Sequence, residues 1–341
     1  MKDRDIFALA ALQCVRGLNA AALLPLLRTL GGARRVWEAP AAELAAAGME
    51  RRTLAALERY RAKHAQEPER IAALCAEQAV SLVVLGEAEY PKSLAAIYQP
   101  PLVLYVRGNL PPDVECLGIV GARRFSRYGE GIAEKLGEEL AASGFCVVSG
   151  AARGIDSAAH RGALRTGRTV AVLGCGVDIA YPAENRRLLA DIVASGGAIL
   201  SEYAPGTPPL PAFFPARNRI ISGLSKGVIV VEAAERSGSL ITAQLALDEG
   251  RDVFAVPGSI YSPTSQGCHR LIQQGAKLVT SVRDVLEEYG REPAPRAPRS
   301  TVLAPQACPA WAPRPAARAR AAVPTPRAAP RRAPATARHW A

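Results

Sequence analysis

The stretch Cys116–His160 constrains the fold more than any other part of the chain. Leu117–Val120 is a short apolar run that stops at Gly121. A helical pattern follows, with apolar or small residues at Ile132, Ala133, Leu136 and Leu140, and Gly144 ends it. Phe145–Val148 is a second apolar run, closed by Ser149-Gly150, and Asp156 opens another helix. Strand, turn, helix, strand, turn, helix is a βαβ pattern. Unbroken apolar strands of this kind are parallel and buried on both faces. Ligands of such sheets sit beyond the carboxyl ends of the strands, where the glycines and arginines of this stretch fall.

The alternation continues. Further strand-like runs are Thr169–Leu173, Ala198–Leu200, Gly227–Val231, Val253–Val256 and Lys277–Val279, with helices starting near Asn185, Arg217, Gly238 and Gly267. The predicted class is α/β, a Rossmann-like doubly wound, mostly parallel sheet over residues 76–289. Within it, 76–115 reads as a connector that adds an edge strand or cap, with its own runs at Ser81–Leu85 and Leu102–Val106. Residues 1–75 read as a small all-helical domain. Helices are expected at Asp5–Val15, from the Asn19 cap to Leu30, at Arg34–Trp37, at Ala41–Ala47, and in a longer segment from Arg51. Gly17-Leu18-Asn19 between the first two helices reads as plain helix packing or as a hairpin offering amides to a nucleic-acid backbone. Packing is the favoured of the two.

Residues 291–341 carry eleven prolines, seventeen alanines, ten arginines and one acid, Glu292. Such a composition builds no core, so 290–341 is expected to be a disordered tail, either merely solvated or a basic arm that adds non-specific DNA affinity. The tail also explains most of the net charge of +11: it holds +9, and the remainder, with 32 basic and 30 acidic residues, holds +2. Any basic site in the globular part is therefore local. Seven scattered cysteines without a Cys-x-x-Cys pair favour buried thiols over disulfides or zinc, which fits a reducing, cytoplasmic setting. The apolar run Ile6–Val15 reads as a helix rather than a signal peptide, and no run reaches membrane-span length.

Four loops converge on one sheet edge in this reading. The first is Gly121-Ala122-Arg123-Arg124, where Gly121 permits close approach and Arg123 offers a planar fork to phosphate. The second runs from Ser149 and Gly150 through Ala151, Ala152, Arg153 and Gly154 to Asp156, with amides expected to face the cleft at a helix start. The third holds Arg217, Asn218 and Arg219 where a helix is expected to begin. The fourth is the hydroxyl-rich start Ser237-Gly238-Ser239 with Thr242. The candidate phosphate-binding set is thus Gly121, Arg123, Ser149, Gly150, Arg153, Gly154, Arg217, Asn218, Arg219, Ser237, Gly238, Ser239 and Thr242. Each loop has a plainer reading: Ser237 or Ser239 as an N-cap, Arg217 and Arg219 in ion pairs with Glu232 or Asp178. Phe125, Tyr181, Phe213 and Phe214 are candidate stacking faces, Phe213 and Phe214 equally core residues. Asp156 and His160 share a helical face, and a capping Asp with a packing His is favoured over an acid/base pair. Gly174-Cys175-Gly176 lacks the third glycine of a dinucleotide fingerprint, no P-loop is present, and no catalytic residue, metal or cofactor is expected.

Taken together these motifs resemble the DNA-processing protein A (DprA/Smf) family over about residues 80–289. The resemblance rests on Tyr90-Pro91, Pro101–Gly108, Gly121-Ala122-Arg123, Ala152–Asp156 with His160, and Ala171–Gly174 with Gly176, Asp178, Tyr181-Pro182 and Asn185. Ser201-Glu202-Tyr203, Arg217–Ile221, Ser237–Ala243 and Val256–Ser259 complete it. More loosely, residues 1–75 look like that family's sterile-alpha-motif-like domain. The resemblance implies a non-enzymatic, homodimeric binder of single-stranded DNA that shields incoming strands in natural transformation and loads RecA recombinase. It also leads one to expect a terminal winged helix, which 290–341 does not resemble. The rival reading is a nucleotide phosphoribohydrolase similar to the LOG proteins. That family's Pro-Gly-Gly-x-Gly-Thr-x-x-Glu motif is broken here, with Thr242 where the acid belongs. A nicotinamide oxidoreductase fits less well still.

Overall fold

The computed structural model describes residues 3–110 and 114–294. The stretch expected to be a disordered tail lies, from residue 295 onward, outside the described residues. Six helices come first: α1 (Asp3–Gln13), α2 (Ala20–Leu30), α3 (Ala33–Glu38), α4 (Ala41–Ala46), α5 (Arg51–Lys63) and α6 (Glu67–Glu77). Asn19 caps α2, its side chain accepting from the Ala22 amide at 3.0 Å, and Gly31 closes the helix in the left-handed conformation, as its φ of 82° requires. The single long helix expected from Arg51 is two. His64 leaves helical geometry, and Pro68 in the first turn of α6 restarts it.

The remaining elements are β1 (Ser81–Val84), α7 (Lys92–Ala95), β2 (Val103–Gly108), β3 (Cys116–Val120), α8 (Arg127–Ala142), β4 (Cys146–Ser149), α9 (Ile155–Ala163) and β5 (Thr169–Val172). They continue with α10 (Arg186–Ala194), β6 (Ala198–Ser201), α11 (Phe213–Leu224), β7 (Gly227–Val230), α12 (Gly238–Asp248), β8 (Asp252–Ala255), α13 (Gln266–Gln273), β9 (Lys277–Leu278) and α14 (Val282–Glu288). All nine strands form one sheet in the order β1-β2-β6-β5-β4-β3-β7-β8-β9. From β6 to β9 every pair is parallel; β1 with β2 and β2 with β6 are antiparallel. The connector thus contributes two antiparallel strands at one edge.

Residues along the central strands alternate between two buried layers. Cys116, Val120, Val148, Val228 and Val230 pack with α11, α12 and α13; Leu117, Ile119, Val147, Ile229 and Val231 pack with α8, α9 and α14. Both faces being covered explains the continuous apolar runs. The chain leaves β3 toward one layer and β7 toward the other, so the topological switch lies between these two neighbours, and their carboxyl ends open a crevice.

Two contacts position what surrounds that crevice. α8 lies on α9 through glycines: a β-carbon on Gly137 would stand 2.4 Å from the Ala159 carbonyl oxygen, and one on Gly162 2.0 Å from that of Glu134. The helical segment is tied to the sheet by Gln13. Its amide donates to the Val103 and Glu202 carbonyls at 2.9 and 2.8 Å and accepts from the Val103 amide at 2.8 Å.

Among the described residues no helix is long and apolar enough to cross a membrane. The six described cysteines are all free thiols, five of them buried.

Candidate nucleic-acid interface

A cleft of about 770 Å³ occupies the switch point. Its walls come from the β3–α8 loop (Gly121 to Arg124), the β4–α9 loop (Ala152, Asp156), the start of α11 (Phe214 to Asn218) and the β7–α12 loop running into α12 (Ala234 to Thr242). The four loops singled out in the sequence therefore meet. Gly121, Arg123, Arg217, Asn218, Ser237, Gly238, Ser239 and Thr242 line the cleft, whereas Ser149, Gly150, Arg153, Gly154 and Arg219 do not.

Arg123 and Arg124 are the accessible cations. Both are exposed, and among the described residues neither forms an ion pair. The Arg123 guanidinium rests 5.5 Å from the centre of the Phe214 ring, which in turn lies 5.4 Å from Tyr181. Tyr181 is 40% exposed. A fixed guanidinium above an aromatic floor offers charge to a phosphate and a flat face to a base. Phe213 instead stacks on Tyr203 at 4.1 Å and does not line the cleft.

The other arginines need correction. Arg217 is 4% exposed and donates to the backbone carbonyls of Gly150, at 2.8 Å, and Val172. It pins the ends of β4 and β5 and is committed to the scaffold. Its reach explains Gly150, where a β-carbon would sit 2.5 Å from that guanidinium. Arg219 pairs with Glu202, away from the cleft. The physical reason is helix phase. Because α11 starts at Phe213, residues 217, 218 and 219 step round a formed helix by about 100° each, so Arg219 falls off the cleft that Arg217 and Asn218 line. Asn218 alone of the three keeps a cleft-facing polar contact, its amide donating to the Gly238 carbonyl at 3.3 Å. Arg153 pairs with Glu184 on the open surface.

The second loop is likewise engaged by the protein itself. Ser149 is buried and donates to the Ile119 carbonyl at 2.6 Å. Gly154 has φ +86°, and a β-carbon there would stand 2.4 Å from the Ala122 carbonyl, so this glycine lets the second loop close on the first. Asp156 accepts from the Ala152 amide at 3.3 Å, turning that donor inward; burial pushes its carboxyl above the usual range, with Arg217 opposing. His160 is wholly buried, shares a 2.6 Å hydrogen bond with Thr169, and burial drops its pKa to about 3, so it packs as a neutral ring.

Three residues outside the candidate set hold the loops. Ala151 adopts φ +50°, a strained left-handed conformation for alanine, and the Asn185 amide fixes it by donating to the Ala151 carbonyl at 2.8 Å and to Ser157 at 2.8 Å. Glu232, 3% exposed, accepts from the Ser126 amide at 2.9 Å and hydroxyl at 2.5 Å and occupies the N-terminus of α8. An acid after a strand carries no mark in sequence that separates this role from a surface charge. Replacing Glu232 by alanine is expected to cost about 2–3 kcal/mol of unfolding free energy in a urea titration, because two donors lose a charged acceptor.

The start of α12 lines the cleft, with Ser237 as its N-cap accepting from the Ser239 amide at 3.4 Å. Ser237 and Ser239 hydroxyls bond each other at 2.7 Å, and nothing stands within 4 Å of where a β-carbon on Gly238 would lie. Amides, hydroxyls and the positive helix end here suit an anion. Among the described residues no cluster of His, Cys, Asp or Glu is disposed to hold a metal.

Comparison with known proteins agrees with this architecture. The DNA processing protein DprA of Streptococcus pneumoniae is 52% identical over 205 residues, covering 59% of this chain and 71% of its own. An X-ray structure of the S. pneumoniae protein superposes with a TM-score of 0.70 at 40% identity, over 84% of this chain and 98% of that one. DNA processing protein A from Helicobacter pylori, solved for its single-stranded DNA binding mode, gives a TM-score of 0.55 at 30% identity, over 61% and 95%. The family described as DNA recombination-mediator protein A matches residues 81–290, and the chain belongs to that family.

Proposed function

We propose that this chain grips single-stranded DNA in the switch-point cleft and passes it to RecA recombinase. It does so in the cytoplasm, as a homodimer and without chemical turnover. The observation that carries this reading is the juxtaposition of Arg123 and Arg124, free of ion pairs among the described residues, with the Tyr181–Phe214 floor and the cleft-lining start of α12. Phosphates meet the cations and helix end; bases stack on the rings. Sequence-tolerant strand binding requires these two components. The H. pylori relative's binding mode and the mediator family support the assignment. Asp156 is the one carboxylate lining the cleft, and it is already held by the Ala152 amide. That arrangement suits holding a strand better than general acid/base work, which needs a carboxylate placed to exchange protons with substrate.

The test is a titration of fluorescent poly-dT and of duplex of equal length at matched salt, with and without residues 291–341. Single strands are expected to bind at least tenfold more tightly than duplex, and removal of the tail to change that affinity less than tenfold. Equal affinity for both forms would reject the single-strand assignment, and release of base from nucleoside monophosphates would reject the proposal in favour of the hydrolase.

A further inference from the structure

A second polar cleft, of about 620 Å³, lies in the helical segment between the α1–α2 turn and α5. Arg16 enters it from the turn, and Arg52, Arg59 and Lys63 enter from α5. The α5 positions 52, 56, 59 and 63 recur at helical spacing, so the three cations form one stripe with Ala56 among them. At 1.5 Å per residue the stripe runs for about 16 Å, room for several phosphates in a row. All four cations are exposed, and among the described residues none has an ion-pair or side-chain hydrogen-bond partner. Glu50 is the one carboxylate in the lining. Glu67, beneath the rim, is committed to Arg70 at 2.6 Å.

Four like charges around a concavity repel one another, and low-dielectric walls concentrate their field on whatever enters. The same cleft contains an aromatic wall. Tyr60 and His64 stack at 4.6 Å with an interplanar angle of 27°. Cations beside stacked rings are the pair of features that the sheet cleft also presents. Cys14 contributes no reactive thiol, since burial raises its pKa to about 11.

We infer that the helical segment carries a second binding cleft for single-stranded DNA, in which Arg16, Arg52, Arg59 and Lys63 hold the sugar–phosphate backbone and the Tyr60–His64 wall receives a base. This rests on the proposed function and extends it: the strand is held at two places, one on each part of the chain. It also reassigns the Gly17 turn, which sits at the cleft's edge and carries Arg16 into it.

The full-length chain with Arg52→Ala, Arg59→Ala and Lys63→Ala combined tests the inference. Alanine is the best helix former, so α5 persists. Binding to a fluorescent 40-mer of dT is expected to weaken about tenfold, and the slope of log affinity against log salt to fall by about 2, three phosphate contacts at about 0.7 each. Lysine at 52 and 59 is expected to keep affinity within about twofold, since phosphate contact needs charge rather than a fork. A strand carrying 4-thiothymidine is expected to cross-link within residues 51–64 of the unaltered chain. Unchanged affinity and slope beside a weakened Arg123→Ala chain would overturn this cleft alone. Unchanged affinity in both would overturn the reading it rests on as well. A loss confined to duplex, or no cross-link in 51–64, would overturn the strand assignment.

Discussion

Replacing Arg217 by alanine is expected to lower the unfolding free energy by about 3–5 kcal/mol, the range for removing one partner of a buried charged arrangement. The guanidinium reaches the Gly150 and Val172 carbonyls from a position 4% exposed, and burial pulls its pKa down while the Asp156 carboxyl opposes. Truncation leaves two acceptors without donors, a cavity under α11 and Asp156 without its neighbouring cation. In a chain of this size the midpoint of thermal unfolding should fall by about 8–15 °C. Arg217→Lys keeps the charge but loses the fork, and should fall between the two. A midpoint within about 2 °C of the parent, combined with weak DNA binding, would return Arg217 to the ligand's side of the cleft.

Arg123 behaves in the opposite way. Arg123→Ala should leave the melting midpoint unchanged and weaken poly-dT binding by about 1–3 kcal/mol, with a shallower salt dependence. Its guanidinium has no carboxylate partner among the described residues and spans the aromatic floor, so its loss removes a phosphate contact and exposes the Phe214 face. Arg219→Ala is the internal control. Its cation is matched by Glu202 off the cleft, and binding should stay within about twofold. Equal losses at Arg123 and Arg219 would mean that the field of the whole face, rather than this cleft, holds the strand.

These contrasts mark where sequence reasoning succeeded and failed. The strands were legible because both faces of the sheet are covered, which writes each of them as an apolar run bounded by glycine or a polar turn. The meeting of four loops followed from the rule that ligands gather where strand order reverses. The direction of individual side chains was not legible. The helix was expected to begin near Arg217, but Pro215 is tolerated in a first turn and α11 begins at Phe213, so Arg217–Arg219 lie within a formed helix and point to different sides of it. Nor does sequence distinguish an amide that faces solvent from one already claimed by Asp156, or reveal that Glu232 closes the start of α8. The aromatic floor was half legible: Tyr181 and Phe214 line the cleft, whereas Phe213, one residue away, is stacked beneath Tyr203.

The glycine seam between α8 and α9 also sets the bore of the cleft. α9 starts at the loop that forms one wall, and its distance from α8 is fixed where hydrogen atoms stand in place of side chains, at Gly137 and Gly162. A single methyl at either position would meet the facing backbone and force the two helices apart. The calibre of the opening is therefore set in part by a seam that lies outside the cleft's own lining.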